Sequence, residues 1–236
     1  MPTTSVDPQV DPPYSGSWNP AGPVWTIVVA GGTGNRFGGA KQLAVLGGRR
    51  VLDRSLATAK LMSDGTVLVT TADTVAGEVG SADMVVAGGS TRSGSVRNGM
   101  AVVPPEAAVI VVHDAARPLA PAETFQRVIA AIRHGADAAI TALAVVDTLK
   151  RVKDSVVVET VDRSSLVAVQ TPQAFRADVL REAHRSGADA TDDAALVEAI
   201  GCRVVVVEGD PRSRKLTTFD DLAILEALVS GVGEDR

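Results

Sequence analysis

The 236-residue sequence is poor in cysteine, in aromatic side chains and in net positive charge. Its single cysteine, Cys202, has no partner for an internal disulfide, which favours a reducing, cytoplasmic compartment. Cys202 and the three histidines do not form a zinc-ligand pattern. A formal net charge of -5 argues against a broad electrostatic surface for nucleic acid or anionic membranes. A phosphate ligand must therefore be held by a few placed cations, which points to a small ligand.

Long apolar runs are also missing. None approaches the roughly 20 residues that a membrane helix needs, so we expect a soluble protein. The N-terminal stretch MPTTSVDPQVDPPYSGSWNPAGP is rich in Pro, Ser, Gly and Asp and has no apolar segment or basic start. Its composition argues against a signal peptide and predicts a flexible tail over residues 1–23. The 45% hydrophobic content suits one compact domain over residues 24–236.

What is present is an alternation of two segment types. Six near-continuous apolar runs indicate strands covered on both faces: WTIVVA, GTVLVTT, DMVVA, AVIVVHD, ADAAITALAV and CRVVVVEG. Segments such as VLDRSLATAKLM and PAETFQRVIAAIRHG have helical spacing. The pattern predicts an α/β fold with a Rossmann-like, doubly wound, mostly parallel sheet. Three polar segments, GGTGNRFGGAK, GGSTRSGS and HDAARP, should meet at its carboxyl edge, where ligands of such sheets bind.

The first polar segment places five glycines and two cations directly after a strand. Glycine lets the backbone approach a ligand and present several N–H donors to phosphate, while Arg36 and Lys41 supply charge. Phe37 stands where a dinucleotide-binding G-x-G-x-x-G needs its third glycine, and no Walker A sequence G-K-[ST] follows. The remaining pattern predicts a loop for a nucleoside triphosphate whose α-phosphate must become electrophilic.

Six motifs follow one another along the chain: AGGTGNRFGGAKQ, GGSTRSGSVRNGM, VVHDAARP, TVDRSSLVAVQTPQAF, TDDAALVEAIG and EGDPRSRKLTTFDDL. In this order, over residues 25–230, the sequence resembles the 2-C-methyl-D-erythritol 4-phosphate cytidylyltransferases of the non-mevalonate isoprenoid pathway. The resemblance implies a fold of the nucleotide-diphospho-sugar transferase type. It also implies that CTP and methylerythritol phosphate give CDP-methylerythritol and pyrophosphate, without a covalent enzyme intermediate.

The resemblance assigns roles to individual residues. Arg36, Lys41 and Lys215 become the catalytic cations around the α-phosphate of CTP. Asp114 becomes the ligand of a magnesium ion, which commonly takes one or two carboxylates beside phosphates and water. The nucleotide is expected to bind at Ala30, Gly31, Gly32, Gly34, Gly89, Ser90 and Ser95.

Residues 144–175 break the α/β rhythm, because apolar and polar residues alternate on either side of KDS at 153–155. This alternation suggests a β hairpin. By resemblance the segment is a protruding β arm, over about residues 144–170, that reaches a second subunit, so a homodimer follows by analogy. Thr148, Arg163 and Thr171 match positions that bind the acceptor, with Arg163 suited to bidentate phosphate recognition.

Departures from the family pattern leave other functions open. The loop between Arg36 and Lys41 is short and FGGAKQ lacks a proline, while Val29 and Ser90 stand where relatives often have proline and an acidic residue. One alternative is therefore a cytidylyltransferase for another polyol phosphate, such as ribitol 5-phosphate. A non-catalytic nucleotide-binding paralogue is a further alternative, although such a binder has no need to retain the three cations and Asp114.

The histidines and the cysteine are expected to be structural. His113 adjoins Asp114 in a strand and so points to the other side, where we expect it to be hydrogen-bonded. His134 and His184 are expected at surface or helix-capping positions. Cys202, within AIGCRVVVV, is expected to be a small buried hydrophobe.

Overall fold

The computed structural model describes residues 18–32 and 37–231, which form a central sheet with helices on both faces. The strands are β1 (Val24–Val29), β2 (Val45–Leu46), β3 (Arg49–Arg50), β4 (Gly65–Thr70), β5 (Met84–Ala87), β6 (Val109–Asp114), β7 (Ala138–Ala144), β8 (Leu149–Lys153), β9 (Val156–Val161), β10 (Val167–Arg176) and β11 (Val204–Glu208). The helices are α1 (Val51–Met62), α2 (Arg92–Met100), α3 (Ala122–Arg133), α4 (Ala177–Ala183), α5 (Asp193–Ala199) and α6 (Phe219–Gly231). Within these residues no helix has the length and hydrophobicity to cross a membrane.

The central sheet has seven strands in the order β11-β7-β10-β6-β1-β4-β5. β10 is antiparallel to its neighbours β6 and β7, and the other pairs are parallel. The prediction of an α/β fold with a mostly parallel sheet is confirmed, and all six predicted strands are present as β1, β4, β5, β6, β7 and β11. β10 is the additional member, inserted between two of them.

Burial on both faces explains why the central strands have continuous apolar runs. Along β6, Ile110 and Val112 belong to the core cluster that includes residues of α2, α4 and α5. Val109 and Val111 belong to the cluster of α3 on the opposite face. With both faces covered, neither side of the strand needs polar residues. Cys202 is buried in the first of these clusters, which confirms its expected role.

The arm leaves the sheet after β7. β8 and β9 pair with each other in a separate two-stranded antiparallel sheet. The turn between them uses Asp154 and Ser155, whose φ angles of 48° and 64° are left-handed and typical of a two-residue hairpin turn. The hairpin predicted around KDS therefore lies where expected. Residues from Val167 onward, in the segment that the sequence analysis grouped with the hairpin, belong to the central sheet as β10.

The start of α6 has a capping pattern in the sequence from which this helix could have been predicted. Asp221 N lies 3.4 Å from Thr218 Oγ1, and Asp221 Oδ2 accepts from Thr218 N at 2.9 Å. This reciprocal contact is a capping box with aspartate in the place of the usual glutamate or glutamine. The order T-x-x-D before an apolar run predicts a helix start, and it would have placed α6 correctly.

Residues 18–23 fall within the predicted flexible tail, but they pack against the domain. Trp18 Nε1 donates a hydrogen bond of 3.0 Å to the carbonyl of Ala108. The guanidinium of Arg176 lies 5.0 Å from the centre of the Trp18 ring. A large ring with one polar atom gains both apolar and cation–π contacts in this position, so the predicted tail does not extend to these residues. Residues 1–17 lie outside the described residues.

We expect Trp18→Ala to lower the free energy of unfolding by about 1–3 kcal/mol, because it removes a half-buried ring and its hydrogen bond. Trp18→Phe keeps most of the ring contact and should cost about 1 kcal/mol or less. Urea unfolding followed by circular dichroism measures both changes. Equal stability of Trp18→Ala and the unmodified chain would contradict this packing.

Candidate functional site

The carboxyl edge of the central sheet brings together the loops after β1, β5 and β6, as the sequence predicted. These loops surround a cavity of about 330 Å³. The predicted nucleotide-binding residues that line it are Ala30, Gly31, Gly32, Gly89, Ser90 and Ser95. Gly34, the remaining one, and Arg36 lie outside the described residues.

Hydroxyl groups hold the loop after β5 against the start of α2. Thr91 Oγ1 accepts a hydrogen bond of 2.9 Å from Gly94 N and so caps the helix. Ser95 Oγ donates to the carbonyl of Thr91 and accepts from Gly89 N. A Cβ atom on Gly89 would lie 2.8 Å from the carbonyl carbon of Gly94, so this close approach requires glycine. Ser95 therefore shapes the cavity wall through the loop that it fastens.

Lys41 and Lys215, both predicted to act on the α-phosphate, line the same cavity. Lys41 Nζ donates a hydrogen bond of 2.9 Å to the carbonyl of Leu216, the residue next to Lys215. Lys215 Nζ donates one of 2.6 Å to Asp114 Oδ2. The fold thus gathers two cations that are distant along the chain at one place.

Asp114 is the buried carboxylate of this cavity, at the end of β6. Arg92 Nε lies 3.4 Å from Asp114 Oδ1, on the other side from Lys215. Burial alone would raise the pKa of Asp114, but the positive charges of Lys215 and Arg92 keep that pKa well below its ordinary value of 3.8. Asp114 is therefore ionised at neutral pH.

His113 precedes Asp114 and is fully buried. Its Nδ1 lies 3.2 Å from Thr171 Oγ1, and its ring centre lies 5.0 Å from that of Phe125. Burial lowers the pKa of His113 to about 4, which makes the ring neutral at pH 7. The prediction of a hydrogen-bonded structural histidine is confirmed. His134 also lies as expected, exposed at the end of α3.

Arg92 is a site residue that the sequence analysis missed. It begins α2 and lines the cavity, with 23% of its side chain exposed. Its Nη1 donates a hydrogen bond of 2.7 Å to Asp193 Oδ2. Burial alone would lower the pKa of Arg92, but the charges of Asp193 and Asp114 raise it above the ordinary value. Its position directly after GGST, in a segment predicted to reach the sheet edge, was the available signal.

Asp193 in turn contacts His184. Asp193 Oδ1 lies 3.0 Å from His184 Nε2, and both side chains are almost completely buried. His184 is the C-cap of α4, in agreement with the capping alternative. The surface position is wrong, because His184 is buried and its Nε2 pairs with Asp193 in the interior.

A second cavity, of about 450 Å³, shares Arg92, Asp114 and Lys215 with the first. Thr171 and Arg117 contribute to its wall. The hydroxyl of Thr171 accepts a hydrogen bond of 3.0 Å from the backbone N–H of Asp114, so this predicted acceptor residue also positions the carboxylate. Arg117 Nη1 donates a hydrogen bond of 2.7 Å to the carbonyl of Ser213, and this contact places a further cation beside the cavity.

The two other predicted acceptor residues lie on the arm. Thr148 and Arg163 are exposed, and neither lines one of the two cavities of this chain. The guanidinium of Arg163 donates to the carbonyl of Val146. The structure therefore brings Thr171 to the sheet edge and leaves Thr148 and Arg163 away from it in the single chain.

Asp114 is the candidate ligand for a metal ion. Among residues 18–32 and 37–231, no group of three or more His, Cys, Asp or Glu side chains is placed to hold a metal. Asp114 nevertheless reaches both cavities, and a carboxylate accepts more hydrogen bonds than Lys215 and Arg92 donate. One carboxylate with substrate phosphates and water suits Mg²⁺, so Asp114 fits this ion.

The charges of the first cavity suit a polyphosphate. Its described walls contain the cations Lys41, Arg92 and Lys215 and one carboxylate, Asp114. Glycine backbone and an excess of positive charge attract and orient phosphate oxygens. Together with the mixed sheet and the adjoining second cavity, these features define a nucleotide-binding α/β protein with room for a second substrate.

Comparison with known proteins identifies the family. The family model described as 2-C-methyl-D-erythritol 4-phosphate cytidylyltransferase matches residues 24–231. The chain belongs to this family. It is 31% identical to the crystal structure of 2-C-methyl-D-erythritol 4-phosphate cytidylyltransferase from Thermus thermophilus, with a TM-score of 0.76 over 86% of this chain and 98% of that one. This likeness confirms the fold of the nucleotide-diphospho-sugar transferase type.

Curated relatives agree. The 2-C-methyl-D-erythritol 4-phosphate cytidylyltransferase of Frankia casuarinae is 43% identical over 88% of this chain and 81% of its own length. The bifunctional enzyme IspD/IspF of Anaeromyxobacter dehalogenans is 45% identical over 89% of this chain. The match covers 59% of that longer relative, so only its matching part bears on this protein.

We expect Lys215→Met to lower the free energy of unfolding at pH 7 by about 1–3 kcal/mol, because it removes the closest charged partner of the buried Asp114. In the unmodified chain the lowered pKa means that ionised Asp114 contributes stability above pH 3.8, which is lost as the pH falls toward the folded-state value. Without Lys215, burial draws the pKa of Asp114 upward. The difference in the free energy of unfolding between the variant and the unmodified chain should therefore become smaller as the pH falls and Asp114 of the variant becomes protonated.

Urea unfolding at pH 7 and pH 4.5 measures this difference. Lys153→Met, on the exposed arm, removes one positive charge that is not beside Asp114 and serves as the matched control. If Lys215→Met lowers the free energy of unfolding by the same amount at both pH values, the ion pair is contradicted.

Proposed function

We propose that the protein transfers the cytidylyl group of CTP to 2-C-methyl-D-erythritol 4-phosphate, giving CDP-methylerythritol and pyrophosphate. The observation that carries this proposal is the shared wall of the two cavities, formed by Arg92, Asp114 and Lys215. A reaction between two phosphate-bearing substrates needs one cavity for each and cations where they meet. Family membership supports the identity of both substrates.

The first cavity is the proposed nucleotide site. Its backbone near Ala30, Gly31 and Gly89 can accept hydrogen bonds from the exocyclic amine of cytosine, which uracil lacks. Ser90 and Ser95 stand beside this backbone. Because the hydroxyl of Ser95 already fastens Gly89, we assign Ser95 to holding the loop in shape for the base.

The transfer itself requires charge stabilisation rather than a covalent intermediate. The acceptor phosphate attacks the α-phosphorus in line, and negative charge accumulates on the phosphoryl oxygens as pyrophosphate departs. Lys41 and Lys215 line the nucleotide cavity and are proposed to neutralise this charge. Arg36 is proposed to act with them, on the basis of its place in the glycine-rich segment.

We propose Mg²⁺ as the cofactor, with Asp114 as its protein ligand. When bound, the ion supplies neutralisation of phosphate charge. The supporting observation is that Asp114 is ionised and adjoins both cavities. Lys215 and Arg92, which contact the same carboxylate, hold its two oxygens in fixed directions.

The second cavity is the proposed acceptor site, with Thr171 in its wall. Thr148 and Arg163 are proposed to complete the acceptor site of a second subunit, since both are exposed on the arm segment of their own chain. The arm also exposes apolar surface: Val156, Val157 and Val158 are more than half exposed. This surface supports a homodimer formed through the arm. A lone, buried cysteine fits a cytoplasmic enzyme.

Pyrophosphate release tests the reaction. The purified protein with CTP and Mg²⁺ should release pyrophosphate when methylerythritol phosphate is added. Lys41→Met should lower kcat by about 10²–10³-fold without unfolding the protein, because it removes charge stabilisation of the transition state. Lys60→Met, which removes an exposed lysine in the last turn of α1 that lines neither cavity, should retain activity within about twofold.

The same assay separates the alternatives. Release with ribitol 5-phosphate but not with methylerythritol phosphate would identify another polyol phosphate as the acceptor. Binding of CTP without release on either acceptor would identify a non-catalytic nucleotide-binding protein. Near-normal turnover of Lys41→Met would refute the proposed role of Lys41 alone.

The arm makes a separate prediction. A charge within the proposed interface, Val157→Asp, should convert the dimer to monomer and lower turnover by at least about tenfold, because burying an unpaired carboxylate is costly. CTP binding should remain, since the nucleotide cavity lies within one chain. Light scattering and calorimetry measure the two properties. Val79→Asp changes a valine away from the arm that is more exposed than Val157, and it is the control. A monomeric unmodified protein with full turnover would overturn the dimer.

A further inference from the structure

A chain of polar contacts extends from the shared wall into the interior. Lys215 contacts Asp114, Arg92 lies between Asp114 and Asp193, and Asp193 contacts His184. The side chain of Asp193 has no exposed surface. It therefore cannot touch a substrate, yet its 2.7 Å hydrogen bond with Arg92 is shorter than either contact between Arg92 and Asp114.

The two carboxylates hold Arg92 unequally. Nη1 is bound closely by Asp193, whereas Nε and Nη2 lie 3.4 and 3.5 Å from Asp114 Oδ1, at the limit of a hydrogen bond. A guanidinium has five N–H donors in a fixed plane. Anchoring one end at Asp193 leaves the other N–H groups directed toward the wall that the two cavities share.

The anchor is itself rigidly placed. Asp193 is the first residue of α5, whose N-cap, Asp192, accepts from Ala195 N at 3.1 Å and from Gln173 Nε2 at 2.9 Å. The second oxygen of Asp193 is occupied by His184. Both oxygens of Asp193 thus have fixed partners, which defines the direction from which it holds Arg92.

We propose that Arg92 binds a phosphate of CTP and that Asp193 is the positioning residue that directs its guanidinium there. The proposal rests on the proposed function, because it places the triphosphate in the first cavity. The negative charge of Asp193 keeps Arg92 from turning fully to Asp114. Lys215 thereby keeps Asp114 as its close partner, and Arg92 keeps N–H groups for phosphate oxygens.

A double-mutant cycle on CTP affinity tests this inference. Calorimetry with CTP alone compares the unmodified chain, Arg92→Met, Asp193→Asn and the variant with both changes. We expect Arg92→Met to weaken binding about tenfold and Asp193→Asn about three- to tenfold. If Asp193 acts through Arg92, the double variant binds no more weakly than Arg92→Met.

If Asp193 acts independently of Arg92, the double variant should lose CTP affinity by the product of the two single fold-changes. A double variant whose CTP affinity is reduced by that product would therefore overturn the proposal. Asp53→Asn is the matched control: it changes another aspartate paired with an arginine, Arg50, and neither of these residues lines one of the two cavities. It should bind CTP within about twofold of the unmodified chain.

Arg92→Lys gives an answer even if Asp193→Asn does not fold. Lysine keeps the charge, but its single nitrogen cannot contact Asp193 and a phosphate in the geometry of a guanidinium. We expect CTP affinity close to that of Arg92→Met, and affinity equal to the unmodified chain would overturn the proposal. Absence of CTP binding by the unmodified chain would instead refute the proposed function, and the inference with it.

Discussion

The ion pair between Asp114 and Lys215 is the interaction on which the site depends. A buried carboxylate needs partners to compensate its lost hydration, and Lys215 provides one at 2.6 Å from a segment near the C-terminus. The next residue, Leu216, donates its backbone N–H to the carbonyl of Ala116 at 2.7 Å and accepts from Lys41 Nζ. The pair thus fastens the C-terminal segment to the sheet edge and gives the cavity its far wall.

The same segment supports the glycine-rich loop. Phe37 stacks on Phe219 with ring centres 4.5 Å apart, and Phe37 shares a core cluster with Leu216 and Leu225. Gly47 N donates to Glu226 of α6. The loop after β1 and the C-terminal helix therefore form one small core of their own. Lys41 contacts the carbonyl of Leu216, which belongs to this core and adjoins Lys215, so the packing of the core influences the separation of the two cations.

The sequence predicted those strands correctly in which nearly every residue is apolar. The runs of β1, β4 and β6 are apolar because both faces are covered. β10 was not assigned to the sheet, since Gln170 and Gln173 interrupt its apolar pattern. Both are buried and use their amides to hold Asp210 and Asp192, so their polarity serves tertiary contacts that a local pattern does not reveal.

The predicted topology gave the location of the site residues at the sheet edge, but it did not give the contacts between their side chains. Strand order takes Lys41, Asp114 and the loop containing Arg92 to one edge, because Asp114 ends a parallel strand and the other two follow parallel strands. Whether Arg92 faces Asp114 or Asp193 depends on the path of α5, which enters the site from a distant part of the sequence. Thr171 illustrates the same limit: its hydroxyl holds the backbone of Asp114, a contact set by the antiparallel pairing of β10 with β6. The inserted strand β10 therefore does two things at once, since it completes the sheet and supplies the side chain that fixes the central carboxylate.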